Sequence, residues 1–393
     1  MTVVGIIAEY NPFHQGHAYQ LAMARELTGA DYVLVVMSGN YVQRGAPAMF
    51  DKHVRAEAAL RAGADLVAEL PLCAATGSAE YFASGAVSLL ARTGVVTDLC
   101  FGSECGDLRG LSRLADVLAQ EPEGYRERLR ALLREGRSFP AAREEALARF
   151  DSSLPSGLLR SPNNLLGLEY LKALARLQSP IRPHTLLRKG ASYHENTVSR
   201  CENASASGIR AALLKQDGRF TEELLCQLPF PELYRDYMDR PPITEDAFSL
   251  LLLEKLWRIS CEEASFSPFL GVTGELSNRI AGLLDDFRSF SQFTDLVKTR
   301  NLTRTAVSRA LLHILLNVRE YREPSVLRVL GFRRAAEPLM SALTERSRIA
   351  VSASPCESLS PSGLYPDHLY ESVRSLLHGA PFSNETRRKL LVV

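Results

Sequence analysis

The chain has 393 residues, 46% of them hydrophobic, with 46 Lys and Arg against 45 Asp and Glu and a formal net charge of +1. This size predicts two or three domains around a substantial core, and the charge balance by itself selects neither nucleic acid nor membrane as a partner. No run of about eighteen apolar residues is present, so no membrane span is expected. The opening MTVVGIIAEYNPF lacks a basic n-region and a small-residue cleavage site. It reads as the first strand of a cytoplasmic protein, not as a signal peptide. Seven cysteines, without any Cys-x-x-Cys, predict reduced thiols and argue against a disulfide framework or a zinc site. No side chain is assigned as a metal ligand.

In chain order, apolar runs at Val3–Ala8, Tyr32–Met37, Leu66–Leu70 and Leu99–Phe101 alternate with helical patterns at His17–Leu27, Lys52–Ala62 and Ala79–Ala91. Strands alternating with helices of this length predict βαβ units, hence an α/β domain with a Rossmann-like parallel sheet. Chemistry in such sheets sits at the carboxyl ends of the strands. The segments leaving those ends are Asn11–His17, Ser38–Phe50, Pro71–Ser78 and Gly102–Asp107, each rich in loop residues. From Leu108 to Ala175 the pattern is helical, and Pro162 marks a helix start. A short strand at His184–Leu187 ends in Arg188-Lys189-Gly190, and residues 204–216 read as a helix entered through small polar residues. Pro241-Pro242 marks a boundary between residues 1–242 and a mainly α-helical C-terminal domain, residues 243–393. Lys298 to Arg348 holds eleven Lys or Arg against four Asp or Glu, a local excess of seven. Such a region is a candidate RNA surface; the alternative is a solvated helical face whose counter-charges lie elsewhere.

The segment of greatest chemical interest closes the first strand: His14-Gln15-Gly16-His17. A strand, a tight turn and a helix N-terminus make a phosphate site, because backbone N–H groups and the helix dipole both favour negative charge. Gly16 allows close approach of backbone to a nucleotide. Two imidazoles can donate hydrogen bonds to charge that builds on a phosphate under attack. A second candidate is Ala204-Ser205-Ala206-Ser207-Gly208-Ile209-Arg210. Its hydroxyls and N–H groups sit at a helix start, and Arg210 suits a leaving pyrophosphate; a simple N-cap is the competing reading. Asn40, Gln43 and Arg44, after the second strand, are placed to hold a small anionic co-substrate, whereas Asp51, Lys52 and Arg55 read as helix-cap and surface residues. Gly102, after the fourth strand, would let an adenine or ribose lie against backbone.

These motifs resemble the HIGH-motif nucleotidyltransferase superfamily, whose first motif is matched by His14-Gln15-Gly16-His17. Its second, Ile-Ser-Ser-Thr-x-x-Arg, is matched loosely by Ala204 to Arg210, with Ala at 204 and 206 and Ser at 207. The strings VGIIAEYNPFHQGH, VMSGNYVQRGAPAMFDK, GADLVAELP, FGSECGD, SPNNLLGLEYLKAL and SASGIR, in this order, look like the tRNA(Met) cytidine acetate ligase family. That resemblance implies activation of acetate by ATP as acetyl-adenylate, then acetylation of N4 of the wobble cytidine in elongator tRNA(Met). It implies an ATP site formed by Ile7, Ala8, Glu9, Tyr10, Asn11, Pro12, Phe13, His14, Gln15, Gly16, His17, Ala18, Tyr19 and Gln20. Gly102, Asn163 and Arg188 complete it, with Lys189 beside the arginine and Asn164 as an alternative to Asn163. His14, His17 and Arg210 are implied as catalytic, with Mg²⁺ held by the phosphates and water. Neither DNA nor a membrane is an expected partner. Two other readings remain open: an adenylyltransferase for a small phosphorylated metabolite, and a non-catalytic RNA-binding protein that senses ATP.

Overall fold

The computed structural model describes residues 1–151, 157–188, 204–263, 265–354 and 361–393. The central sheet is built on strands β1 (Val3–Ala8) and β2 (Tyr32–Ser38); after β2 a small antiparallel hairpin pairs β3 (Tyr41–Val42) with β4 (Ala46–Pro47). Five more strands extend the main sheet: β5 (Leu66–Leu70), β6 (Asp98–Ser103), β7 (Arg182–Leu187), β8 (Val326–Phe332) and β10 (Leu391–Val392). Their order is β10-β8-β5-β2-β1-β6-β7, and β9 (Ala350–Ser352) pairs with β8. The early strands pair in parallel, and β8 runs antiparallel to β5.

The first strands are apolar along their whole length because both faces are covered. Val3, Leu34, Val36, Leu66 and Ala68 pack with Phe82, Ala86, Leu111 and Leu168 on one side. Their neighbours Val4, Ile6, Val33, Val35 and Val67 pack with Leu21, Ala24, Ala56 and Leu60 on the other, as the two-residue period of a strand requires. A third core joins Ile209, Leu213, Leu252, Leu256, Phe293, Leu311 and Tyr370.

The predicted strands and helices of the first hundred residues are all present, within a few residues. The chain runs outward from β1 through β2 to β5, then crosses back to β6 and β7 on the other side. The order therefore reverses at the β1–β6 border, and the crevice at the carboxyl ends of those two strands is the preferred ligand position. His14–His17 follows β1 and Gly102 lies near the end of β6. The region beyond Pro242 is mainly helical, but it also supplies β8, β9 and β10 to the same sheet. Among the described residues no helix is long and apolar enough to cross a membrane. Cys73, Cys100, Cys105, Cys226 and Cys261 are free thiols.

Lys52 and Arg55 depart from expectation. Asp51 is the N-cap of helix Lys52–Arg61, accepting from His53 and Val54 N–H, but Lys52 and Arg55 are fully buried. Arg55 donates to the carbonyls of Glu9, Ser38, Gly39 and Phe50. It thereby ties together the loops leaving β1 and β2, satisfying carbonyls that would otherwise be stranded.

Candidate active site

The cleft at the β1–β6 border is open to solvent and has a volume of about 560 Å³. The end of β1 lines it with Ile7 and Ala8 and the turn that follows with Glu9, Tyr10 and Asn11, then His14, His17 and Gln20. Tyr10 has φ of 52°, a left-handed conformation rare for a bulky residue and characteristic of functional turns. Pro12 and Phe13 are buried behind the surface, and Gln15 turns away, its N–H donating to Gln227 O at 2.9 Å. Gly16, Ala18 and Tyr19 shape the helix without lining the cleft.

His14 is the N-cap of helix Gln15–Thr28, which carries no acidic residue in its first turn. Its Nδ1 accepts the Gly16 N–H at 3.0 Å, and His17 Nδ1 accepts the His14 N–H at 3.3 Å. A neutral imidazole that accepts at Nδ1 carries its proton at Nε2, so both rings have one N–H left to donate. The ring centroids are 3.8 Å apart. A Cβ at position 16 would sit 2.8 Å from His14 Cε1, so glycine is needed for the ring to fold over the helix start. Burial, reinforced by Arg188 and Arg210, lowers the pKa of His14 to about 3. Burial, then His14 and Arg188, holds His17 well below the usual histidine range. Both are neutral donors near pH 7, not imidazolium ions.

The second motif meets the first. Ser205 caps helix Ala206–Lys215 by accepting from Gly208 N–H at 3.1 Å, and its Oγ lies 3.0 Å from that of Ser207. Arg210, one turn in, donates to Asn11 O at 2.6 Å. Ser205, Ser207 and Arg210 line the cleft, so two helix N-termini free of first-turn acids converge there. Gly102 faces the cleft beneath Arg188, whose Cγ would meet a Cβ at 3.3 Å. Asn163 lines the cleft. Asn164 is buried and its Oδ1 accepts the N–H groups of Glu104 and Cys105. Lys189 lies outside the described residues. Of the loop after β2, Gln43 and Arg44 reach the cleft. Asn40 is instead buried, bonded to Asp367 and to Lys52 N–H.

Sequence reasoning missed two contributions. Phe82, Phe101, Leu165, Leu166 and Tyr170 give one side of the cleft an apolar surface, and Thr305 and Arg309 come from helix Arg304–Leu315. The Thr-x-x-x-Arg spacing placed both on one helix face, but nothing in the sequence said which surface that face would meet.

Protonation of the unfolded chain predicts a pH effect. Histidine in the unfolded state titrates near 6.5, while native His14 stays neutral down to about 3. Between these values the unfolded chain binds more protons, so stability falls as pH drops. His14→Gln should remove about 1 kcal/mol of the loss seen between pH 6.5 and 5.5, read from chemical denaturation of both proteins at the two pH values. Identical pH slopes would contradict the neutral, buried state of His14.

Residues 1–368 match the model of the HIGH Nucleotidyl Transferase family. A tRNA(Met) cytidine acetate ligase of Acetivibrio thermocellus is 38% identical over 366 residues, covering 89% of this chain and 87% of that protein. One from Clostridium perfringens is also 38% identical, covering 89% of each. The crystal structure of apo Thermotoga maritima TmcAL is 31% identical with a TM-score of 0.85, over 99% of this chain and 97% of that one. The same protein bound with α-thio ATP gives a TM-score of 0.82 at the same identity and coverage. The chain belongs to the HIGH nucleotidyl transferase family and, within it, to the tRNA(Met) cytidine acetate ligases.

Proposed function

We propose that this protein is a ligase that activates acetate with ATP and transfers the acetyl group to N4 of the wobble cytidine in elongator tRNA(Met). The observation that carries the reading is the meeting of His14, His17, Arg188 and Arg210 at the sheet's switch point, in a chain 38% identical to proteins named tRNA(Met) cytidine acetate ligase. ATP lies with its base against the apolar side and Gly102, and its phosphates across the two helix N-termini. A carboxylate oxygen of acetate attacks the α-phosphorus, the bond to the β-phosphate bridging oxygen breaks, and pyrophosphate leaves. The Nε2–H groups of His14 and His17 donate to oxygens on the α-phosphorus as charge builds there. Arg188 and Arg210 hold the departing pyrophosphate.

The cytidine amine then attacks the acetyl carbon, the carbon–oxygen bond to AMP breaks, and the amine gives up a proton. Anticodon bases suit this step because single-stranded bases can be splayed into a pocket. Glu9 is the one carboxylate among the described residues lining the cleft, and its Oε1 already accepts from Gln43 N–H at 2.7 Å. Glu9 would stand beside a Mg²⁺ ion brought in with the nucleotide, and the ion would supply charge neutralisation of the triphosphate. A cytoplasmic location accords with tRNA and ATP as substrates.

The basic stretch 298–348 contributes less free charge than its count suggests. Lys298, Arg304, Arg319, Arg322 and Arg333 pair with Asp295, Glu245, Glu263, Glu320 and Asp65. Arg328 is buried in a separate ion cluster. We assign the tRNA backbone to the exposed Arg300, Arg334, Arg346 and Arg348, supported by this paired set. Incubation with ATP, isotopic acetate and tRNA(Met), followed by mass spectrometry of nucleosides, should give labelled N4-acetylcytidine. Pyrophosphate release without RNA labelling would contradict the reading.

A further inference from the structure

Arg309 is a cation in the cleft with no counter-ion among the described residues. No hydrogen bond or ion pair to its guanidinium is formed among the described residues, although the group is half-buried. Burial lowers its pKa, and among the described residues no carboxylate pushes it back up. Arg328, by contrast, is buried against three carboxylates that raise its pKa. A half-buried guanidinium with no partner among the described residues suits an anionic ligand.

The position of Arg309 is well defined. Gly45 has φ of 78°, and a side chain there would run into the backbone of Ser308 and Arg309. Ser308 Oγ donates to Gly45 O at 2.8 Å, locking the loop Gln43–Gly45 to the helix. At its other end the loop is held to the nucleotide turn by Gln43 N–H on Glu9 Oε1. Arg309 is thus one loop away from the turn that carries His14 and His17. It is not part of the phosphate cluster: the charges that act on His14 are those of Arg188 and Arg210.

We propose that Arg309, with Thr305 and the loop Gln43–Gly45, forms the subsite that takes the carboxylate substrate and aims it at the nucleotide. The guanidinium grips a carboxylate through its N–H fork, forms and breaks no bond itself, and holds the nucleophile near the α-phosphorus. The proposal rests on the adenylate-forming reading given above. It deepens that reading by assigning the acid's recognition to a residue near position 300, outside the nucleotide motifs.

The test uses the full-length protein, with Arg309→Ala and Arg309→Lys variants. AMP formation is followed at saturating ATP and tRNA(Met) while acetate is varied. ATP-analogue and tRNA affinities are measured separately. Losing a hydrogen-bonded charge predicts that Arg309→Ala raises the KM for acetate about tenfold or more. Both affinities should stay within about twofold. Arg309→Lys should fall between, and added methylguanidine should partly restore Arg309→Ala. A weakened ATP or tRNA affinity with unchanged KM for acetate would overturn the proposal, as would no change at all. If the wild-type protein forms no AMP in response to acetate, the adenylate-forming reading itself fails. Normal wild-type turnover with an unchanged KM in both variants removes only the subsite.

Discussion

Replacing His17 by Ala is expected to lower kcat by about 10²–10³, with little change in ATP affinity. The figure is that for removing one fixed donor aimed at developing charge. The ring is neutral because burial, the neighbouring His14 ring and the Arg188 cation oppose its protonation, and its Nδ1 is occupied by the His14 N–H. Nε2–H is therefore the group lost. His14→Ala should cost as much in kcat and, in addition, about 0.5–2 kcal/mol of stability, because His14 also caps its helix. His14→Asn separates the two effects, since Asn is a good cap and its shorter amide falls short of the imidazole Nε2 position. It should restore the stability and leave the turnover low. Single-turnover kinetics and thermal denaturation of the three variants check this. Full turnover in His17→Ala would remove the imidazole from the chemistry.

Lys52→Met is expected to be the most damaging single change for stability, by about 3–5 kcal/mol. Lys52 Nζ lies 2.9 Å from Glu69, 2.6 Å from Asp367 and 3.1 Å from Glu385. Arg328 bonds the same three carboxylates. Removing Lys52 leaves Glu69 and Asp367 sharing Arg328, while Glu385 keeps His53 and Arg388 beside it. Burial pushes Asp367 up and its two partners do not offset that. In Glu69, Arg328 and Lys52 outweigh burial and hold the carboxyl below its usual range; in Glu385, Lys52 and His53 do the same. Those depressed groups contribute stability above the usual carboxylate pKa, and the contribution is lost as pH falls from that value through their lowered native ones. The gap between wild type and Lys52→Met should therefore narrow below about pH 4.5. Adding Asp367→Asn to Lys52→Met should recover part of the loss, because removing both partners costs less than stranding one. Equal stability of wild type and Lys52→Met near pH 7 would refute this account of the cluster.

The strand–helix alternation of the first hundred residues was legible because period and loop composition are local properties. The meeting of His14–His17 with Ser205–Arg210 was legible through the chemistry of two phosphate-type helix starts. Lys52 and Arg55 were not. A lysine and an arginine just after an Asp cap look solvated; Asp367 and Glu385, from more than three hundred residues away, take up Lys52, and the loop carbonyls of Glu9, Ser38 and Gly39 take up Arg55. The same holds for Arg309, which enters the cleft through the docking of Gly45 on Ser308. The strand Val326–Phe332 was hidden because Arg328 interrupts its apolar run, and its burial depends on that same ion cluster. In each case a long-range partner, absent from any local pattern, decides the outcome.

The central claim is that two neutral imidazoles at the end of β1 grip the α-phosphate. A crystal structure of this protein with a non-hydrolysable ATP analogue measures that contact directly. The account predicts oxygens of the α-phosphate within hydrogen-bond distance of Nε2 of both His14 and His17, with the outer phosphates on Arg188 and Arg210. An α-phosphate bound out of reach of both rings would contradict it.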